Sequence, residues 1–197
     1  MNRTRTEALS DGVFAVAATL LVFSVQVPDV KSNLGQALLD QWPAYAAYVI
    51  SFATILVIWV NHHSVMDNIK TLDGPLLYLN GFLLMFVAVI PFPTFLLAKY
   101  FVAGHDESAA AFAYGIVLSL ASLSFTAINL YARSRDLHRT QFSFGRFSIG
   151  QLLYPLGAVV SLVNARAALG IYAALVVYYA GYPLVRESVI KRRSARG

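Results

Sequence analysis

The chain has 197 residues, of which 58% are hydrophobic and only 13% charged, with a mean hydropathy of +0.62. A soluble domain usually carries roughly 25% charged residues, so composition and a succession of long apolar runs predict an all-α integral membrane protein. The absence of cysteine excludes disulfides, thiolate metal sites and cysteine nucleophiles. The net charge of +5 lies between the apolar runs, where it reads as a topology signal and not as a nucleic-acid footprint.

Six spans are expected in chain order. The first covers 9–27 and stops at Pro28-Asp29. It has the length of a full span and lacks a small-residue cleavage site, so it is expected to stay in the mature protein. The second, 42–60, opens on Trp42-Pro43, with proline suited to a first helical turn, and ends before Asn61-His62-His63. The third, 75–98, contains Pro91 and Pro93, which predict a kink because each removes a backbone donor. The fourth covers 108–132. The fifth, 147–163, is interrupted by Gly150, Pro155 and Gly157, and the sixth, 167–185, follows the tight connection Asn164-Ala165-Arg166. A basic tail, 186–197, closes the chain. With no internal repeat and no low-complexity region, 1–197 is expected to be a single membrane domain.

Charge sets the expected orientation. With six spans, twelve of the fifteen Lys and Arg residues gather on one side, and Lys31, Lys99 and Arg166 lie on the other. The positive-inside rule then predicts cytoplasmic N and C termini.

Ionisable groups at membrane depth are few. Asp11 stands at the mouth of the first span with Arg5 six residues upstream, and His62 and His63 stand at the end of the second. A charge entering hydrocarbon costs about 3 kcal/mol on insertion scales. With both termini on one side these groups lie near the same face, where Arg5, Ser10, the Trp59 indole and a histidine can supply the donors that a buried carboxylate needs. Interfacial polarity in contact with headgroups is the simpler alternative for the same residues.

No metal site is expected from the two histidines, because adjacent helical positions diverge by about 100° and no third ligand is evident. Nucleophile elbows, metalloprotease histidine pairs and phosphate-binding loops are absent from the sequence, so neither catalytic residues nor a cofactor is expected. Asn80, Thr126 and Asn129, inside spans, could bridge helices or contact a solute, interhelical hydrogen bonding being the usual role.

The helical repeat divides the first span. Leu9, Gly12, Val16, Leu20, Phe23 and Val27 fall on one stripe with Thr19 at its edge, while Asp11 projects more than about 90° away from Val16. On composition alone, such a stripe serves equally well facing lipid or a neighbouring helix.

Arg5-x-x-x-Leu9-Ser10-Asp11-Gly12, followed by a long apolar run, resembles the R-x-x-x-F-S-D-G motif that opens the first span in the transmembrane protein 175 family of potassium channels. Leu9 stands in place of the phenylalanine. Trp59-Val60-Asn61-His62-His63 is similar to that family's tryptophan–histidine stretch. The match covers the first span and the end of the second; elsewhere it rests on span number and size.

The resemblance implies a six-span subunit of the prokaryotic type, assembling with itself as a homotetramer in the cell membrane around a pore lined by the first helix. Its permeant species is the potassium ion among monovalent cations, and no nucleic acid or other cofactor is involved. By distance from Asp11, the apolar constriction implied by the resemblance comprises Val16, Leu20 and Phe23, with the Thr19 hydroxyl beside them. Arg5, Ser10, Asp11, Gly12, Trp59, His62 and His63 would form the network bracing that helix. The alternative is a proton-coupled secondary transporter using Asp11 or His62 as a relay, which requires facing polar groups near the bilayer midplane. A structural membrane protein would instead be a closed bundle.

Overall fold

The computed structural model describes residues 3–29, 33–137 and 145–194, with side chains described through 137 and again from 149 to 181. The fold is all-α. In chain order it runs α1 (Arg3–Leu20), a 3-10 turn (Leu21–Ser24), α2 (Leu34–Asp40), α3 (Trp42–Asn68), α4 (Gly74–Val89), α5 (Pro91–Ala103), α6 (Glu107–Ser134), α7 (Gly145–Ser161) and α8 (Ala165–Ser194). Among the described residues, four segments are long and apolar enough to cross a membrane: Arg3–Ser24, Trp42–Asn68, Gly74–Ala103 and Glu107–Ser134. The apolar parts of α7 and α8, Ile149–Ser161 and Ala165–Gly181, are shorter.

Several element boundaries follow from local chemistry. α1 begins at Arg3, ahead of the apolar run, and its last turn tightens into the 3-10 turn before extended backbone at Val25. The polar stretch between the first two expected spans contains a two-turn helix, α2. At the proline pair, α4 and α5 are separated at Ile90, as the kink required. Pro91 has no N–H for the Val87 carbonyl, and Ile90 donates to that carbonyl instead at 3.1 Å. Asp73 caps α4 by accepting from Leu76 N–H at 3.1 Å, and Asn164 caps α8 by accepting from Ala167 N–H at 3.0 Å. The helix backbone of α8 continues to Ser194, through most of the stretch expected as a basic tail. The side chains of that tail, like Arg139 and Arg146, lie outside the described residues.

α1 rests on α3 and α4, α4 and α5 pack on α6, and α7 and α8 cover α6 from the other side. The second layer depends on missing side chains. A Cβ on Gly115 of α6 would collide with the Tyr172 hydroxyl and come within 2.8 Å of Ala158 Cβ, so glycine permits the close approach of α6, α7 and α8.

The core is joined midway along the helices by hydroxyl groups. Thr94 of α5 donates to Ser51 of α3 at 2.9 Å, and Ser51 donates to the Tyr114 hydroxyl of α6 at 3.1 Å. The Tyr114 hydroxyl lies 3.4 Å from Thr54, which donates onward to the Ile50 carbonyl at 2.8 Å. All four side chains are buried. Such a chain is largely self-satisfying because a hydroxyl can both give and accept a hydrogen bond, as Ser51, Tyr114 and Thr54 do here.

At one end of the bundle, Asp73 also accepts from the Tyr131 hydroxyl at 2.6 Å, tying the start of α4 to the end of α6. The adjoining backbone is stitched by Lys70 N–H donating to Leu137 O at 2.7 Å. The Tyr131 bond, helped by Leu76 N–H and the nearby Arg135, holds the Asp73 carboxyl below its ordinary value of 3.8 against the opposing effect of desolvation. A carboxyl depressed in the folded state stabilises the fold above its unfolded pKa and loses that contribution as pH falls through the lower folded value. The clasp is therefore intact at neutral and mildly acidic pH.

Two outcomes are expected. Tyr114→Phe strands the Ser51 donor and should cost about 1–3 kcal/mol, read as a lower melting temperature in detergent. Tyr131→Phe should move the Asp73 titration upward towards 3.8, followed by carboxyl-carbon NMR.

Candidate functional site: the first helix and its anchors

α1 has two unlike faces. Thr6, Ser10, Phe14, Ala17, Leu21 and Ser24, spaced three or four apart, are buried against the bundle. Leu9, Gly12, Val16, Thr19, Leu20, Phe23 and Val27 are all exposed, with Val16 57%, Leu20 40% and Phe23 67% open. A Cβ on Gly12 would meet nothing within 4 Å. The stripe read from the helical repeat is thus the face that this chain leaves uncovered. The Thr19 hydroxyl donates to the Val16 carbonyl at 2.9 Å, leaving its oxygen lone pairs outward. Phe23 sits in the 3-10 turn, where the tighter wind turns each residue by about 120°.

The buried face is anchored by a directional relay of hydrogen bonds. His62 Nε2–H on α3 donates to Asn80 Oδ1 on α4 at 2.8 Å, and Asn80 Nδ2 donates to Ser10 Oγ on α1 at 3.2 Å. Ser10 then donates to the Thr6 carbonyl at 2.9 Å. Because the Asn80 amide gives a proton to Ser10, its oxygen is the end left to accept from the imidazole. The His62 ring is buried, packed 5.4 Å from Phe14 and 6.5 Å from Phe125 between ring centroids.

Asp11 lies to one side of this relay. Its Oδ1 accepts from the Trp59 indole N–H at 2.8 Å, and Trp59 in turn packs against the exposed His63 at 5.8 Å. Beyond that pair, α1 and α3 part to leave a groove of about 380 Å³. Phe14, Ala15 and Ala18 line one wall, Phe52, Ile55 and Leu56 the other, and Asp11 and Trp59 the polar end.

Arg5 does not join Asp11 in the subunit. Its side chain is exposed and makes no hydrogen bond or ion pair among the described residues. Six residues on a helix correspond to about 120° of rotation, which places the two side chains on different faces. The arginine that ties α1 down is Arg3. Its guanidinium donates to the Met66 carbonyl at 2.7 Å, the Ile69 carbonyl at 3.4 Å and Asp67 at 3.0 Å, and its Nε pairs with Glu7 at 2.8 Å. Those carbonyls are at the C-terminal end of α3, where the helix dipole favours a cation. Arg3 was legible only as a residue one heptad before Ser10, on the same face. Of the in-span polar residues, Asn80 bridges helices as expected. Thr126 bonds to the Ser122 carbonyl of its own helix, and the Asn129 amide donates to the Phe125 carbonyl of its own helix. Among the described residues no group of three or more metal-ligating side chains occurs.

Residues 5–91 match the family model described as endosomal/lysosomal potassium channel TMEM175. A potassium channel of Streptomyces collinus is 39% identical over 185 residues, covering 89% of this chain and 90% of that protein. The chain belongs to the TMEM175 family. A potassium channel of Chamaesiphon minutus is 38% identical over 187 residues, covering 89% of this chain and 92% of that one. The crystal structure of a potassium-selective TMEM175 homologue from the same organism superposes with a TM-score of 0.80 at 34% identity, covering 90% of this chain and 96% of that chain. The segment matched by the family model contains Ser10, Asp11, Trp59, His62 and Asn80, while Arg3 precedes it.

One outcome separates the two arginines. Arg3→Ala should raise amide exchange about tenfold or more at the start of α1 and the end of α3, as local opening becomes easier, whereas Arg5→Ala should leave those amides unchanged. Hydrogen exchange with mass spectrometry reads both.

Proposed function

We propose that this chain is one subunit of a homotetrameric, potassium-selective channel of the cell membrane, with the exposed face of α1 lining the pore. The observation that carries this reading is the pairing of faces on α1. Val16, Leu20 and Phe23 are large apolar side chains held open on one side, while the opposite side is locked by the relay through Ser10 and Asn80. A lipid-facing helix has no need of such anchoring. A single helix cannot enclose a pathway, so copies related by a closed rotation are required to surround one. The relatives named as potassium channels, matched along nearly their whole length, support the same reading.

In this reading the subunit crosses the bilayer six times, with α7 and α8 supplying the two shorter spans, and both termini are cytoplasmic by the positive-inside rule. The mechanism is passive electrodiffusion. Rings of Val16, Leu20 and Phe23 form a narrow apolar segment that gates by dewetting. A cation passing it must loosen its hydration shell, and potassium, being larger than sodium, holds water less tightly. Thr19 presents a hydroxyl oxygen at the edge of this segment as a partial replacement for water. Phe23, bulkiest of the three, makes the narrowest ring, and Val16 the widest. Asp11 lies off this face and does not form a charged ring; with Trp59 it belongs to the bracing of α1, together with Ser10, Gly12, His62 and His63.

The transporter alternative is less well supported. Among the described residues no hydrogen bond joins Asp11 to His62; each sits in a separate pair, with Trp59 and Asn80 respectively.

Purified protein in planar bilayers under a potassium–sodium gradient should give unitary potassium currents. Val16→Asn and Phe23→Asn should each hydrate a ring and shift the reversal potential towards sodium. Unchanged reversal potentials in both variants would remove the apolar constriction, and slow saturable flux in place of unitary currents would remove the channel.

A further inference from the structure

The groove between α1 and α3 combines two features that the permeation pathway does not use. One is an incompletely paired carboxylate: Asp11 Oδ1 takes the Trp59 indole hydrogen bond, but Oδ2 receives no hydrogen bond or ion pair from any described residue. The nearest sequence candidates for a counter-ion are occupied or turned away. Arg3 is committed to Glu7, Asp67 and two carbonyls, and Arg5 is exposed on another face. The other feature is the groove itself, about 380 Å³ with otherwise apolar walls. That volume falls within the range of small-molecule sites.

We propose that this groove is a binding site for lipophilic amines, with the ammonium on Asp11 Oδ2 and over the Trp59 ring, and the apolar body lying along α1 between Ala15 and Phe52. Charge complementarity selects the head. A carboxylate in an apolar setting is best satisfied by a cation that also donates hydrogen bonds, and the indole face adds a cation–π contact. The walls select the body. From Asp11 to Ala18 the helix rises about 10 Å, and the lining over that length is Phe, Ala, Ile and Leu. An amine-headed phospholipid is excluded by the same walls, since its phosphate would be buried beside the ammonium with no donor to receive it. Because the groove separates α1 from α3, an occupant fixes the spacing of the helix that carries the open stripe.

The test uses the assembled protein in detergent on a Trp42→Phe background, which leaves Trp59 as the sole tryptophan reporter. The probe is 3-phenylpropylamine, compared with the uncharged 3-phenylpropanol and with methylammonium. Saturable quenching of Trp59 by the amine, about tenfold tighter than by the alcohol, is expected from a charge-assisted hydrogen bond. Asp11→Asn keeps an acceptor for the Trp59 indole and should abolish that preference. Should that variant fail to fold, Ala15→Leu, which fills the groove and leaves the carboxylate, should abolish binding of both phenylpropyl compounds. Equal affinity for amine and alcohol, an undiminished preference in Asp11→Asn, or unaltered binding in Ala15→Leu would overturn the site. So would methylammonium binding as tightly as the amine, since the carboxylate would then act without the groove. Absence of saturable binding to the assembled protein would overturn it as well, by showing that a second copy closes the groove. None of these readouts involves ion flux, so this site and the channel reading can fail separately.

Discussion

The rotation of α1 about its own axis is the constraint on which the rest depends. A helix with apolar residues on every side has no intrinsic preference for which side it buries, because lipid, protein and a dry pore are similar surroundings for Val or Leu. The relay from His62 through Asn80 to Ser10 breaks that degeneracy. Three polar groups at membrane depth would each be costly alone, and they are jointly satisfied at one rotation of α1 only. Arg3 adds a second fixed point one heptad away, on the Met66 and Ile69 carbonyls at the C-terminal end of α3. With both in place the stripe of Val16, Leu20 and Phe23 points outward from the helix bundle.

The remainder of the bundle serves as a stiff backing for that helix. The hydroxyl chain through Thr94, Ser51, Tyr114 and Thr54 links α3, α5 and α6 midway along their lengths, while Gly115 lets α7 and α8 close onto α6. Polar pins of this kind are directional, whereas apolar packing tolerates sliding. The proposed apolar constriction, which would discriminate ions by the cost of dehydration, needs side chains held to a fraction of an ångström. It is consistent that the directional bonds collect on the elements carrying α1. The groove beside Asp11 is the place where that backing is incomplete.

Much of the architecture was legible in the chain because it follows from local rules. Apolar run lengths marked the helices, the Pro91–Pro93 pair marked the break between α4 and α5, and the 3.6-residue repeat assembled the stripe that proves to be exposed. Asn80, read as a bridge between helices, is one. Other features were not legible. Arg5 carries the motif position and drew the assignment, yet Arg3 makes the contacts. The short helix α2 lies in a stretch whose polarity suggested a loop, and the hydroxyl chain joins residues more than forty positions apart with no pattern common to them.

The sequence by itself determined that this is a membrane-embedded helical protein, where its long apolar helices lie, which residues share a face of α1, and, through the motif around Asp11 and the stretch at Trp59, its TMEM175 kinship. These are properties of composition and of a repeat set by backbone geometry, so they can be read along a single segment. Only the tertiary structure decided which polar groups meet: His62 with Asn80, Asn80 with Ser10, Asp11 with Trp59 and Arg3 with the end of α3. Such pairings depend on the rotation and axial offset of one helix against another, and these are set by the packing of the whole bundle.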